Sequence, residues 1–178
     1  MANFENSLNK TLIHEGGYVF DKDDPGGETY KGIARTVNGS WAGWHTIDTL
    51  KKLPNFPQNL DSDKTLQENI KTFYKANYWD IIKGNDMQNQ AVADSIFDFA
   101  VNAGVKTSAT MVQTIIGASP DGNIGPASLA ILNKFDVGYF LALFKIAKIE
   151  RYMAIIKKRP MSKKYLYGWI LRTLGDNS

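Results

Sequence analysis

Glu15, Asp24 and Thr29 are the polar side chains in this sequence whose types and spacing could do acid–base chemistry. They lie in the run Glu15-Gly16-Gly17-Tyr18, then Asp24-Pro25-Gly26-Gly27, then Thr29, closed by Gly32-Ile33. Phe4, Leu8 and Leu12 recur every four residues and predict an amphipathic helix over about 3–15, which Gly16-Gly17 should stop. Glu15 would then sit at the negative end of that helix. The dipole there disfavours its ionised form, and the nearby aspartates push the same way. A carboxyl raised in this manner suits a general acid near neutral pH. Asp24, across the loop, could face it as an ionised carboxylate, and the Thr29 hydroxyl could hold a water. Such a set is what glycoside hydrolysis needs: the acid protonates the leaving oxygen, while the carboxylate stabilises the oxocarbenium ion or activates water. An ordinary polar loop after a helix contains the same residue types, and spacing alone leaves both readings open.

Other chemistries are excluded more firmly. There is no cysteine, so disulfide scaffolds, thiolate zinc sites, Fe–S clusters and thiol catalysis are out. The two histidines, His14 and His45, cannot build a His-rich metal site. His14-Glu15 opens like a metalloprotease H-E-x-x-H, but Tyr18 stands where the second histidine belongs, and Gly16-Gly17 would break the required helix. Asp21-Lys22-Asp23-Asp24 opens like a calcium loop, with Pro25 and Gly32 at chelating positions; Asp121-Gly122-Asn123 fails likewise, with Leu132 at position twelve. No phosphate-binding loop and no G-x-S-x-G is present, and no cofactor is expected.

The elements that must position these residues read as mainly helical. Residues 16–35 are rich in glycine and form a turn-rich loop or small hairpin. A short helix is expected near 46–53, and Asp61-Ser62-Asp63 offers N-caps for a helix carrying Leu66, Ile70, Phe73 and Tyr74 on one face. Residues 88–104 read as a central helix, apolar nearly all round, with Asp94, Asp98 and Asn102 on one polar stripe. Such groups are costly inside unless bonded, so Asp98 and Asn102 either tie the two lobes together or line the floor of a cleft. Further helices are expected up to Gly117, from Pro126 to Ile131, over 136–158 and over 162–173. Trp169 and Arg172 read as a structural contact. Tyr18, Tyr30, Trp41, Trp44, Tyr78 and Trp79 could stack on sugar rings or pack the core; Tyr30, beside Thr29, is the first choice for a cleft.

The chain has 178 residues and a net charge of +3, unevenly placed. Residues 134–178 carry +7, leaving −4 on the rest. A basic end suggests an anionic cell-envelope surface as partner, or simply a solvated helix face. No nucleic-acid module accompanies it, so specific nucleic-acid binding is not expected. The longest apolar stretch, Val137 to Phe144, is far short of the roughly 18 residues of a membrane span. The N-terminus lacks a basic n-region and an apolar h-region, so no signal peptide is expected.

With these residues in view a resemblance emerges. Glu-Gly-Gly-Tyr…Asp-Pro-Gly-Gly-x-Thr-x-x-Gly-Ile, from Glu15 to Ile33, resembles the N-terminal signature of glycoside hydrolase family 108, lysozyme-like N-acetylmuramidases. Phe97-Asp98…Val101-Asn102-x-Gly104, Gln113, Asp121-Gly122-x-Ile124-Gly125-Pro126 and Gly168-Trp169-x-x-x-Arg172 resemble the predicted peptidoglycan-binding domain that accompanies it. Two departures stand out: Ala34 replaces the usual Thr or Ser after Gly-Ile, and Ala103 replaces a His common between Asn102 and Gly104.

The resemblance implies a mainly α, lysozyme-like two-lobed fold with a small irregular or β-hairpin insert near the N-terminus. It implies a catalytic region over 1–85 and a peptidoglycan-binding-like region over 86–178, expected to form one compact unit and to act as a monomer. It implies hydrolysis of the β-1,4 bond between N-acetylmuramic acid and N-acetylglucosamine, with Glu15 as the catalytic acid. By a looser similarity to phage-type lysozymes, Asp24 is the second carboxylate and Thr29 the water holder. Tyr18, Tyr30, Asp98 and Asn102 are the candidate substrate contacts, and peptidoglycan glycan strands the partner. The expected setting is a phage or prophage endolysin or related lysis enzyme, made in the cytoplasm and released by a holin or a non-Sec route. The competing reading is a non-catalytic peptidoglycan-binding or secretion-helper module, which would need the cleft but not Glu15.

Overall fold

A computed structural model of the chain describes residues 1–20 and 27–175. Asp24 lies outside the described residues. The chain divides into two compact units: Phe4–Asp80, and Met1–Asn3 together with Ile81–Ser178.

The unit Phe4–Asp80 opens with helix α1 (Phe4–Leu12). Three short strands follow, β1 (Tyr18–Phe20), β2 (Glu28–Tyr30) and β3 (Ile33–Ala34). Helices α2 (Gly43–Leu50), α3 (Asn59–Ser62) and α4 (Lys64–Tyr74) complete it, α4 running into a π-helical turn at Lys75–Trp79. Helix α1 buries Ser7, Leu8 and Thr11 and ends earlier than its apolar spacing predicts. Its exit tightens into i→i−3 bonds, His14 N–H to Thr11 C=O at 3.0 Å and Glu15 N–H to Leu12 C=O at 3.3 Å, as helix ends commonly do. Glu15 therefore sits in the turn after the helix, ahead of the glycine pair.

The strands form an antiparallel sheet in the order β1-β2-β3, with Val19 opposite Thr29 and Tyr30 opposite Ile33. Only Lys31 and Gly32 separate β2 from β3, and both have positive φ, 47° and 76°. That is the geometry of a type I′ hairpin turn, whose twist matches that of the strands it joins. Successive strand residues point to opposite faces. Glu28 and Tyr30 are accordingly buried together, and Thr29 between them is half-buried on the other face.

Asp63 caps α4 through its carboxylate, which accepts from the Leu66 amide at 2.8 Å. Leu66, Ile70 and Tyr74 of α4 are buried, with Leu8, Ile47 and Leu60, as the four-residue spacing predicts. The π turn gives Asp80 N–H an i→i−5 bond to Lys75 C=O at 2.9 Å. It carries Trp79 fully inside, its ring 5.6 Å from that of Phe4.

In the second unit, Asn3 and Gln90 clasp each other: the Asn3 amide donates to Gln90 Oε1 at 2.7 Å, and Gln90 Nε2 returns to Asn3 C=O at 3.1 Å. Helices α5 (Gln90–Ala103), α6 (Val105–Ile116), α7 (Pro126–Leu132), α8 (Val137–Lys158) and α9 (Leu166–Leu174) follow, with a 3₁₀ stretch at Pro160–Tyr165 before α9. Ile96, Phe97, Phe99, Ala100, Val112, Phe140 and Phe144 form the buried interior. Ser108 of α6 donates to Ile96 C=O of α5 at 2.9 Å, a bond that needs a small residue where the helices meet. Among the described residues no single helix is long and apolar enough to cross a membrane.

Candidate active site

The Glu15 carboxylate lies against the turn between β2 and β3. A Cβ at Gly32 would fall 2.5 Å from Glu15 Oε2 and 2.9 Å from the Tyr74 hydroxyl. Only glycine fits, on steric grounds as well as for its φ. The Tyr74 hydroxyl donates to Lys31 C=O at 2.6 Å and so fixes the turn from the end of α4. Tyr78 stacks on Tyr74, centroids 5.6 Å apart. Burial, and after it the negative charge of Glu15, push the Tyr78 hydroxyl above its ordinary range. Glu15 is thus set among a glycine turn and two phenols. Among the described residues, a Cβ at Gly16 or Gly17, next along the chain, would meet no atom within 4 Å.

A second carboxylate, Glu28, is only 7% exposed and serves another purpose. Lys51 is ion-paired to it, and the Tyr18 hydroxyl donates to it at 2.9 Å. Arg35 Nε lies 3.0 Å away as an ion-pair neighbour without an aligned hydrogen bond. Arg35 also makes a two-pronged contact to Asp48, at 2.7 and 3.2 Å, over the Trp44 ring. Hydrogen bonds from Arg35 hold the Asp48 carboxyl below its usual range. Burial and then Glu28 raise the Tyr18 hydroxyl, against the opposing pull of Lys51. The network ties the sheet to α2 and so supports the turn that carries Gly32.

The expected contact residues fare differently. Tyr18 is half-buried, its hydroxyl engaged by Glu28 and its ring edge-on to Phe56. Thr29 is central in β2 and half-buried. Tyr30, the first choice for a sugar-stacking ring, is 1% exposed and offers no face to a ligand. Its hydroxyl donates to Asp61 at 3.0 Å and accepts from Gln67 at 3.2 Å, so it packs the strand onto α3 and α4. Trp44 and Trp79 are buried as well. Trp41 donates to Asn69 C=O at 3.3 Å, and Tyr78 is the candidate aromatic beside the acid.

In the other unit, Asp98 receives Arg172 through Nε at 3.0 Å and a terminal nitrogen at 2.8 Å. This ion pair holds α9 to α5. Asn102, one turn along α5, is exposed. Sequence reasoning missed Tyr74 as a neighbour of Glu15, and missed Glu28 altogether. Tyr74 carried only a core-face signal, and Glu28 no local signal at all.

A family model described as glycosyl hydrolase 108 matches residues 8–104, and one described as a predicted peptidoglycan domain matches residues 107–174. No curated protein matches the chain. Among solved structures the chain is similar to Brucella abortus SagA, with a TM-score of 0.68 and 24% identity over 96% of this chain and 88% of that one. That likeness is one of fold. The first family match contains the Glu15 turn, the sheet and the Tyr74–Tyr78 pair, and it covers more than half of the sequence. The chain belongs to the glycosyl hydrolase 108 family, with a predicted peptidoglycan domain as its second half.

Proposed function

We propose that this protein is an N-acetylmuramidase that cleaves the β-1,4 bond between N-acetylmuramic acid and N-acetylglucosamine in peptidoglycan, with Glu15 as general acid. The observation that carries the reading is the seating of Glu15: a carboxyl packed on a glycine turn and flanked by phenols. In this reading Glu15 gives its proton to the glycosidic oxygen as the bond from that oxygen to the N-acetylmuramic acid C1 breaks. Water completes the cleavage and leaves a reducing N-acetylmuramic acid end. Asp24, from its place in Asp-Pro-Gly-Gly, is the second carboxylate, and Thr29 orients the water. Membership of a glycoside hydrolase family and a peptidoglycan domain on the same chain support the substrate. The biological setting that fits is cell lysis of the phage or prophage endolysin kind.

The test is digestion of purified peptidoglycan by wild type and by Glu15→Gln, with products reduced and read by mass spectrometry. Wild type should release muropeptides ending in reduced N-acetylmuramic acid. The variant should lose about 10²-fold or more of that rate, the lower end of what a general acid contributes. Binding of the polymer by both proteins with cleavage by neither would establish the binding-module reading instead.

A further inference from the structure

Helices α6 and α8 enclose a groove of about 650 Å³, within the size range of ligand sites. It lies almost wholly inside the region matched as a predicted peptidoglycan domain, and it involves none of the residues around Glu15. One wall carries Thr107, Thr110 and Thr114, which share a face of α6. Met111 and Ile115 add apolar surface, while Lys106, Glu150 and Arg151 supply charge of both signs. Among the described residues none of these three charges is held in an ion pair.

The loop between α6 and α7 braces one end. Buried Gln113 donates to Asp121 at 2.8 Å, to Asn123 C=O at 3.0 Å and to Ser128 at 3.2 Å, and it accepts from the Gly122 amide at 2.8 Å. Gly122 is thereby held so close to α6 that a Cβ would lie 2.7 Å from the Lys106 stem and 3.1 Å from the Thr110 hydroxyl. The motif residues Gln113, Asp121 and Gly122 thus form a rigid end-stop beside Lys106.

We infer that this groove binds the peptide stem of peptidoglycan; the inference rests on the reading of the protein as a peptidoglycan-acting enzyme. Among the described residues no aromatic side chain lines the groove, so they offer none of the stacking surfaces that sugar rings use. Its chemistry matches a short peptide of small residues. Methyl side chains fit against Met111 and Ile115, and the threonine hydroxyls can meet peptide N–H and C=O groups. A stem bears free carboxylates, on its γ-linked glutamate and its terminal alanine, which suit Lys106 and Arg151. It also bears the amine of a diamino acid, which suits Glu150.

The experiment titrates full-length, isotope-labelled protein with a synthetic stem, L-Ala-γ-D-Glu-diaminopimelate-D-Ala, and in parallel with glycan strands stripped of peptide. The stem should shift the backbone amides of Thr107, Thr110, Thr114 and Arg151. The double variant Lys106→Glu/Arg151→Glu should weaken its binding about tenfold or more, a change of ~1.4 kcal/mol. Glu150→Gln, a milder change, should abolish any preference for the free amine over its N-acetylated form. If the stem leaves these amides unmoved, or if stripped glycan moves them instead, the inference falls. A wild type that binds the stem but cleaves no glycan leaves the groove standing and removes the muramidase reading. A wild type that cleaves stripped glycan yet ignores the stem does the reverse.

Discussion

Gly32 and Glu15 touch: the space a Cβ would need at Gly32 is occupied by the Glu15 carboxylate, 2.5 Å away. The hairpin turn is thus one wall of the acid's seat. Gly32→Ala should cost about 1 kcal/mol or more from the left-handed backbone alone, and should also displace the carboxylate. Thermal unfolding should show a melting point lower by about 2–4 °C per kcal/mol, and muropeptide release should fall at least as far as stability alone predicts. Gly16→Ala, whose Cβ would meet no atom of the described residues within 4 Å, is the control and should melt like wild type. An active, unshifted Gly32→Ala would show that the carboxylate is not seated there.

Tyr74 acts on Glu15 through the same turn. Tyr74→Phe removes the 2.6 Å bond to Lys31 C=O at a cost of about 1 kcal/mol. A loosened seat should lower kcat several-fold while KM stays near its original value. Steady-state kinetics on soluble glycan strands separate the two. A change confined to KM would make Tyr74 a substrate contact in its own right.

The Asp98–Arg172 pair is half-sheltered, with side-chain exposures of 20% and 13%. Removing one partner strands the other charge, so Asp98→Ala and Arg172→Ala should each cost about 3 kcal/mol, and the double variant clearly less than their sum. Denaturant melts of the four proteins close the cycle. Additive losses would show that the pair does not couple, and a loss of glycan binding without loss of stability would return Asp98 to the substrate.

Lys148 is 4% exposed, its ammonium 3.1 Å from the Ser95 hydroxyl and over the rings of Phe99 and Phe144. Burial lowers its pKa to about 8 against the attraction of Asp98, with Arg172 and Lys145 adding to the depression. The folded state therefore sheds this proton before the unfolded chain does. Below pH 8 the desolvation penalty is present in full; from about pH 8 to 10.5 it is relieved, and this group's contribution to stability rises. Measured against Lys148→Met, wild type should gain on the order of 3 kcal/mol across that window. A pH-independent difference would mean that Lys148 titrates normally.

Much of the scaffold was legible because it is written in local periodicity and punctuation. Asp63 caps α4, Pro126 opens α7, Gly117 closes α6, and the apolar face of α4 is the buried one. The Glu15 loop was legible as a cluster of polar residues and glycines. The surroundings of Glu15 were not, because Tyr74 and Tyr78 reach it only through tertiary folding. Tyr30 was misread for a related reason: being next to Thr29 in sequence places it on the opposite face of the strand. For Asp98 the sequence left a tie and a cleft contact both open, because its ion-pair partner Arg172 lies 74 positions away.

The two-residue turn at Lys31–Gly32 also makes the site sensitive to chain length in a way it is not to composition. With no slack in the hairpin, inserting or deleting one residue in this turn would exchange the faces of Ile33 and Ala34 relative to β2. Ile33 would leave the interior, and Arg35, which follows it, would be carried away from Glu28. Substitutions can drift through this segment one side chain at a time; a single-codon insertion or deletion would undo the buried charge network and the wall behind the acid together.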